Sequence, residues 1–105
     1  MREKRLQDAC VKVLKDKGIY YINVYGSGRT AKGAPDLIAC VNGRFVGFEL
    51  KVGNNEMQAD QIIHSRRIKR SGGLHFVPRT VEEFRAILEE IENEKENKGG
   101  TYRRI

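Results

Sequence analysis

The chain has 105 residues and a formal net charge of +6, from 20 Lys+Arg against 14 Asp+Glu. That length suits one domain with a single core and is too short for two, and the charge is compatible with a polyanionic partner without proving one. No apolar run approaches the roughly 20 residues of a membrane span, and "MREKRLQDAC" lacks a signal peptide's apolar region, so a cytoplasmic protein without membrane contact is expected.

Leu6, Cys10, Val13, Leu14 and Lys17 recur at helical spacing and predict a helix over 3–17, stopped by Gly18. "IYYINVY" (19–25), β-branched and aromatic, predicts a strand in which Tyr20, Tyr21 and Tyr25 read as sheet packing. "GSGRTAKGAP" (26–35) is a Gly-rich basic loop, without the Lys-Ser/Thr and following helix of a P-loop. Its Arg29 and Lys32 read either as grips on a phosphate backbone or as an ordinary solvated loop.

"DLIACVNGRFVGFELK" predicts a β-hairpin with strands near 36–41 and 44–51, because Asn42-Gly43 is a strong signal for a two-residue type I′ turn. One face carries Leu37, Ala39, Val41, Val46, Phe48 and Leu50. The other carries Ile38, Cys40 and Phe45 beside the charged residues. Strands apolar on both faces belong in the middle of a covered sheet. Cys10 and Cys40 both read as reduced core residues, and with His64 and His75 they show none of the paired spacings of a zinc site. Neither histidine receives a role.

A second helix is predicted over 56–70, with Asn55 as N-cap and Gln58 three residues on. "HSRRIKR" (64–70) is a basic run on it, and four cations in seven residues favour phosphate contact by Arg66, Arg67, Lys69 and Arg70 over a merely solvated face. Ser71-Gly72-Gly73 ends the helix and "LHFVP" (74–78) predicts a short strand closed by Pro78. Thr80 and Glu83 form a capping box for a last helix striped by Val81, Phe84, Leu88 and Ile91. Residues 1–92 thus make the domain and 93–105 a polar tail. The α-β-β-β-α-β-α order, with a parallel right-handed crossover across 44–78, predicts an α/β fold: a small mixed sheet flanked by helices.

The turn register carries the chemistry. If Val41 faces Arg44, opposed residues sum to 85, and Asp36 falls opposite Glu49 with Cβ atoms about 4.5–5.5 Å apart, where like charges destabilise a sheet. Lys51, two residues on, shares their face. A divalent cation resolves the repulsion, Mg²⁺ being a hard ion held by one or two carboxylates plus waters and phosphate oxygens. Lys51 beside it would position or deprotonate a water. The plainer alternative is a solvated Glu-x-Lys pair on an exposed strand.

"G-A-P-D-L" (33–37), followed by "E-L-K" (49–51), resembles the PD-(D/E)XK nuclease superfamily, and within it the small stand-alone VRR-NUC domains of phage and bacteria. Glu3 and Gln7, the Gln61 of "Q-A-D-Q", and "SGG" before "LHFV" extend the resemblance over residues 3–90. It implies a restriction-endonuclease-like core and an Mg²⁺- or Mn²⁺-dependent DNA endonuclease in a bacterial or phage-infected cell. By the resemblance, Asp36, Glu49 and the Leu50 carbonyl hold the metal. Lys51 orients the attacking water, Gln61 holds that water or Lys51, and Glu3 approaches from the first helix. Relatives often carry Pro-Glu-Gln where this chain has Ala59-Asp60-Gln61.

Stand-alone relatives of this kind resemble Holliday-junction resolvases, which implies branched DNA as substrate and a homodimer making paired cuts. Tyr20 and Tyr25, or the last helix and its tail, are the candidate interface. The alternative from another class is a non-catalytic nucleic-acid-binding module.

Overall fold

The computed structural model describes residues 2–24 and 32–94. Helix α1 (Arg2–Lys17) turns Leu6, Cys10, Val13 and Leu14 inward and ends at Gly18, whose φ of 70° few other residues adopt without strain. Strands β1 (Tyr21–Asn23), β2 (Leu37–Val41) and β3 (Arg44–Phe48) form an antiparallel meander. Helix α2 (Ala59–Arg70) then crosses to β4 (Leu74–Phe76), which pairs parallel with β3, and α3 (Val81–Glu92) follows. The result is a mixed four-stranded sheet in the order β1-β2-β3-β4, flanked by helices, and the element order is the expected α-β-β-β-α-β-α.

The core lies on one face of the sheet. Leu37, Ala39, Val41, Val46, Phe48 and Leu50 project there against α1 and against Phe84, Leu88 and Ile91 of α3. The Phe48 and Phe84 rings meet at 4.7 Å between centroids, tilted by 58°, a geometry that adds about 0.5–1.5 kcal/mol to the area they bury. Asn42 serves both the turn and the core. Its side-chain amide donates to the Ile91 carbonyl at 3.0 Å and so ties the hairpin tip to the end of α3.

The opposite face departs from expectation. Helix α2 packs on β4 and leaves the hairpin tip and β1 open, so Cys40 is exposed, Phe45 is 46% exposed and Tyr20 is 73% exposed. Cys10 is a core residue as expected, whereas Cys40 is not, and Tyr20 does not pack the sheet. Tyr25 lies outside the described residues.

Several boundaries also move. The β1 ladder is three residues long, shorter than 19–25, and the hairpin pairing stops at Leu37↔Phe48, short of 36 and 51. Residues 49–51 leave β2 and instead follow the chain beyond β4, where the Glu49 N–H donates to the Phe76 carbonyl at 2.9 Å. Helix α2 starts at Ala59 with Gln58 as N-cap, because Asn55 is taken up elsewhere: its N–H closes a turn on Val52 and its amide donates to Glu3. Of the polar tail, Asn93 caps α3 and Glu94 pairs with Arg44 at 3.0 Å; residues 95–105 lie outside the described residues.

Candidate active site at the mouth of the hairpin

The turn sets the geometry. Asn42 and Gly43 both have positive φ, 53° and 78°, as a type I′ turn requires. The register runs unbroken from Val41↔Arg44 to Leu37↔Phe48. One step beyond, Asp36 and Glu49 come together as the spacing predicts, close enough for their carboxyls to hydrogen-bond. The backbone pins Asp36 twice: its N–H donates to the Phe48 carbonyl at 2.9 Å, and its Oδ2 accepts from the Leu50 N–H at 2.8 Å.

Two glycines shape the approach to Asp36. A Cβ on Gly47 would lie 2.9 Å from the Pro35 ring, so its bare backbone seats the residue that precedes Asp36. Gly33, at φ 91°, sits so close to the first turn of α2 that a Cβ would fall 2.7 Å from the Asp60 carbonyl carbon. Sequence reading placed both glycines in turn or strand and missed these contacts.

Burial makes the acidic pair costly to ionise. Glu49 is 2% exposed. Desolvation, then the neighbouring Asp36 charge, pushes its carboxyl up to about 8, against the relief Lys51 offers. Desolvation likewise raises Asp36, and the Leu50 N–H opposes it. Gln61 donates to Glu49 Oε2 at 2.6 Å. Glu49 Oε1 is buried and meets no donor among the described residues. Burial and the Asp36 charge favour the protonated form of Glu49 in the bare protein.

That donor set fits a hard divalent cation. It offers two carboxylates, with one buried oxygen lacking a partner among the described residues. Among the described residues no group of three or more His, Cys, Asp or Glu could hold a metal, so a cation here would keep water or phosphate oxygens in its remaining positions. Lys51 is buried beside the pair, and its charge favours ionisation of both carboxyls.

No protein-family model matches the chain, and no curated protein matches it.

The other predicted residues divide. Glu3 reaches the site electrostatically, raising both carboxyls, and accepts from Asn55 at 3.3 Å. Gln61 arrives at the site, but its amide grips Glu49, not Lys51, while its Oε1 accepts from the Gln58 N–H at 2.7 Å. Lys32 is 93% exposed and stands 3.9 Å from Asp60. Arg29 lies outside the described residues. Arg66, Arg67, Lys69 and Arg70 are all exposed. At 1.5 Å per residue they lie about 8–13 Å along α2 from Gln61, at the helix's far end and not beside the carboxylates.

The burial of Gln7 and His75 was not legible in the sequence. Gln7, 1% exposed, donates to Asn23 Oδ1, and its own Oε1 is left without a partner. His75 on β4 is buried under α2, where desolvation, then Lys69 and His64, lowers it to about 4. A histidine held neutral this firmly is part of the packing.

Proposed function

We propose that the protein is a metal-dependent endonuclease that hydrolyses phosphodiester bonds in DNA. The observation that carries this reading is the buried Asp36–Glu49 contact, with an unpartnered Glu49 oxygen and Lys51 beside it. Carboxylates kept together at such cost, on residues resembling the PD-(D/E)XK pattern, are best accounted for by Mg²⁺ or Mn²⁺. When bound, such an ion neutralises phosphate charge and lowers the pKa of a water.

The chain's own residues then have defined tasks. Asp36, fixed by the Leu50 N–H, and Glu49, fixed by Gln61, present their free oxygens together. Lys51 orients the attacking water and offsets charge building on the phosphate. Glu3 adds negative charge from α1 and favours cation uptake. The exposed cations at the end of α2 hold the DNA backbone through its phosphates.

The substrate is branched DNA such as a four-way junction, cut by a homodimer acting inside the cytoplasm. Paired symmetric cuts need two sites, which a two-fold dimer supplies. The exposed Ile22 on edge strand β1 and Tyr20 just before it offer it an interface. Among the described residues no helix is long and apolar enough to cross a membrane.

Incubation with junction, flap and linear duplex DNA, with Mg²⁺, Mn²⁺ or chelator, tests the reading. Metal-dependent nicking of the branched substrates is expected. DNA binding that is equal in chelator, with no nicking under any condition, would favour the non-catalytic binding module. Light scattering at micromolar concentration tests the dimer, and a mass near 12.0 kDa would exclude it.

A further inference from the structure

Beyond the acidic pair, the same sheet face carries a second depression. Phe45, His64, Arg67, Ile68, Ser71 and Gly73 line a groove of about 500 Å³ between β3, the end of α2 and the turn into β4. Phe45 is 46% exposed and lies against Gly73, where a Cβ would come within 3.1 Å of the ring. An aromatic ring is thus held with part of its surface open. Arg67 lines the groove, Arg66, Lys69 and Arg70 are exposed on the same end of α2, and among the described residues no carboxylate pairs with any of them.

We infer that this groove takes an unpaired nucleobase of single-stranded nucleic acid, stacked on Phe45 with its phosphate held by Arg67. Unpaired cations around an open aromatic complement a polyanion that carries planar apolar groups. A second copy of this chain would instead bring two cationic helix ends toward one another. Duplex DNA does not supply the ligand either, since its bases are stacked on one another and show only their edges.

Placement links the groove to the acidic pair. Phe45, Gly47 and Glu49 alternate onto one face, and Pro35 and Ile68 lie over Gly47 between the two depressions. About 13 Å of strand separates Phe45 from Glu49, a few nucleotides at roughly 3.4 Å of rise each. The inference rests on the nucleic-acid reading above and narrows it: among branched substrates it favours those, such as flaps, that carry unpaired bases a few nucleotides from the cut.

Binding is measured by fluorescence anisotropy in chelator, so that cleavage plays no part. The probes are a twelve-nucleotide oligothymidylate, an abasic strand of equal length and a blunt duplex. The wild type should prefer the oligothymidylate to the abasic strand. Phe45→Ala should cut that affinity about tenfold and leave the abasic strand unaffected, whereas Phe45→Trp should retain it. Arg67→Ala should weaken both strands alike.

Equal wild-type affinity for the two strands, or equal losses on both in Phe45→Ala, would overturn the inference. So would a Phe45→Ala variant that binds normally but sediments at a lower mass than the wild type, which would assign the face to a second copy. Preference for bases without any metal-dependent cleavage would leave the groove standing and remove the nuclease.

Discussion

Gln61 of α2 donates its side-chain amide to Glu49 Oε2 at 2.6 Å while its carbonyl accepts from the Gln58 N–H at 2.7 Å. One side chain therefore starts the helix and holds the buried Glu49 carboxylate. Gln61→Leu removes both bonds and should cost about 1 kcal/mol of stability. If Glu49 holds a metal, cleavage should fall about 10–100-fold, as for other residues that orient a ligand. Denaturation midpoints and single-turnover rates check the two effects. A variant that cuts at the wild-type rate would remove Gln61 from the site.

Asp36→Asn and Glu49→Gln should each abolish cleavage while keeping the fold. Asp36→Asn should also ease ionisation of Glu49 in the metal-free protein, so that less stability is lost as pH rises than in the wild type. Glu49→Gln should be nearly neutral below about pH 4.5, where Glu49 is protonated in both folded and unfolded chains, and increasingly stabilising as pH rises through 7 toward 8. Cleavage with metal and urea denaturation in chelator measure the pair, and full activity in either variant would exclude the shared metal.

Two buried groups give the metal-free protein opposing pH limbs. Glu49 is raised from 4.5 to about 8, so across that window the folded chain keeps a proton the unfolded chain releases, and stability falls as pH rises. His75 is lowered from 6.5 to about 4, so the unfolded chain takes up a proton first, and stability falls as pH drops through that range. Urea midpoints in chelator should peak between about pH 4.5 and 6.5. Glu49→Gln should flatten the alkaline decline, and a decline that persists in that variant must have another source.

Gly33→Ala combines a positive φ with a Cβ 2.7 Å from the α2 backbone. Destabilisation of about 1–3 kcal/mol is expected from the backbone conformation alone. The displaced loop should lower activity further, because it leads directly into Pro35 and Asp36. Thermal unfolding with parallel assays would show this, and an unchanged melting temperature would mean the loop yields freely.

The sequence made the hairpin legible because Asn42-Gly43 permits one tight turn, and every pairing out to Leu37↔Phe48 follows from it. The acidic pair was legible for the same reason. Alternation assigns residues to a face but does not say which face a helix covers, and so the exposure of Cys40 and Phe45 was not. The start of α2 was placed three residues early because Asn55 suits a cap, whereas in the fold its amide donates to a distant residue, Glu3. Gln61 could be placed on α2 by its position, but only folding reveals that its amide reaches Glu49.

The central claim is that Asp36 and Glu49 together hold a divalent cation, and calorimetric titration of the protein with Mn²⁺ at pH 7 tests it most directly. Run in two buffers of different ionisation enthalpy, it counts protons as well as metal. Burial and the Asp36 charge raise the Glu49 carboxyl to about 8 in the bare protein, so binding at pH 7 should release about one proton per metal, and Asp36→Asn should bind far more weakly. Equal Mn²⁺ uptake by wild type and Asp36→Asn, or no uptake at millimolar metal, would contradict the account.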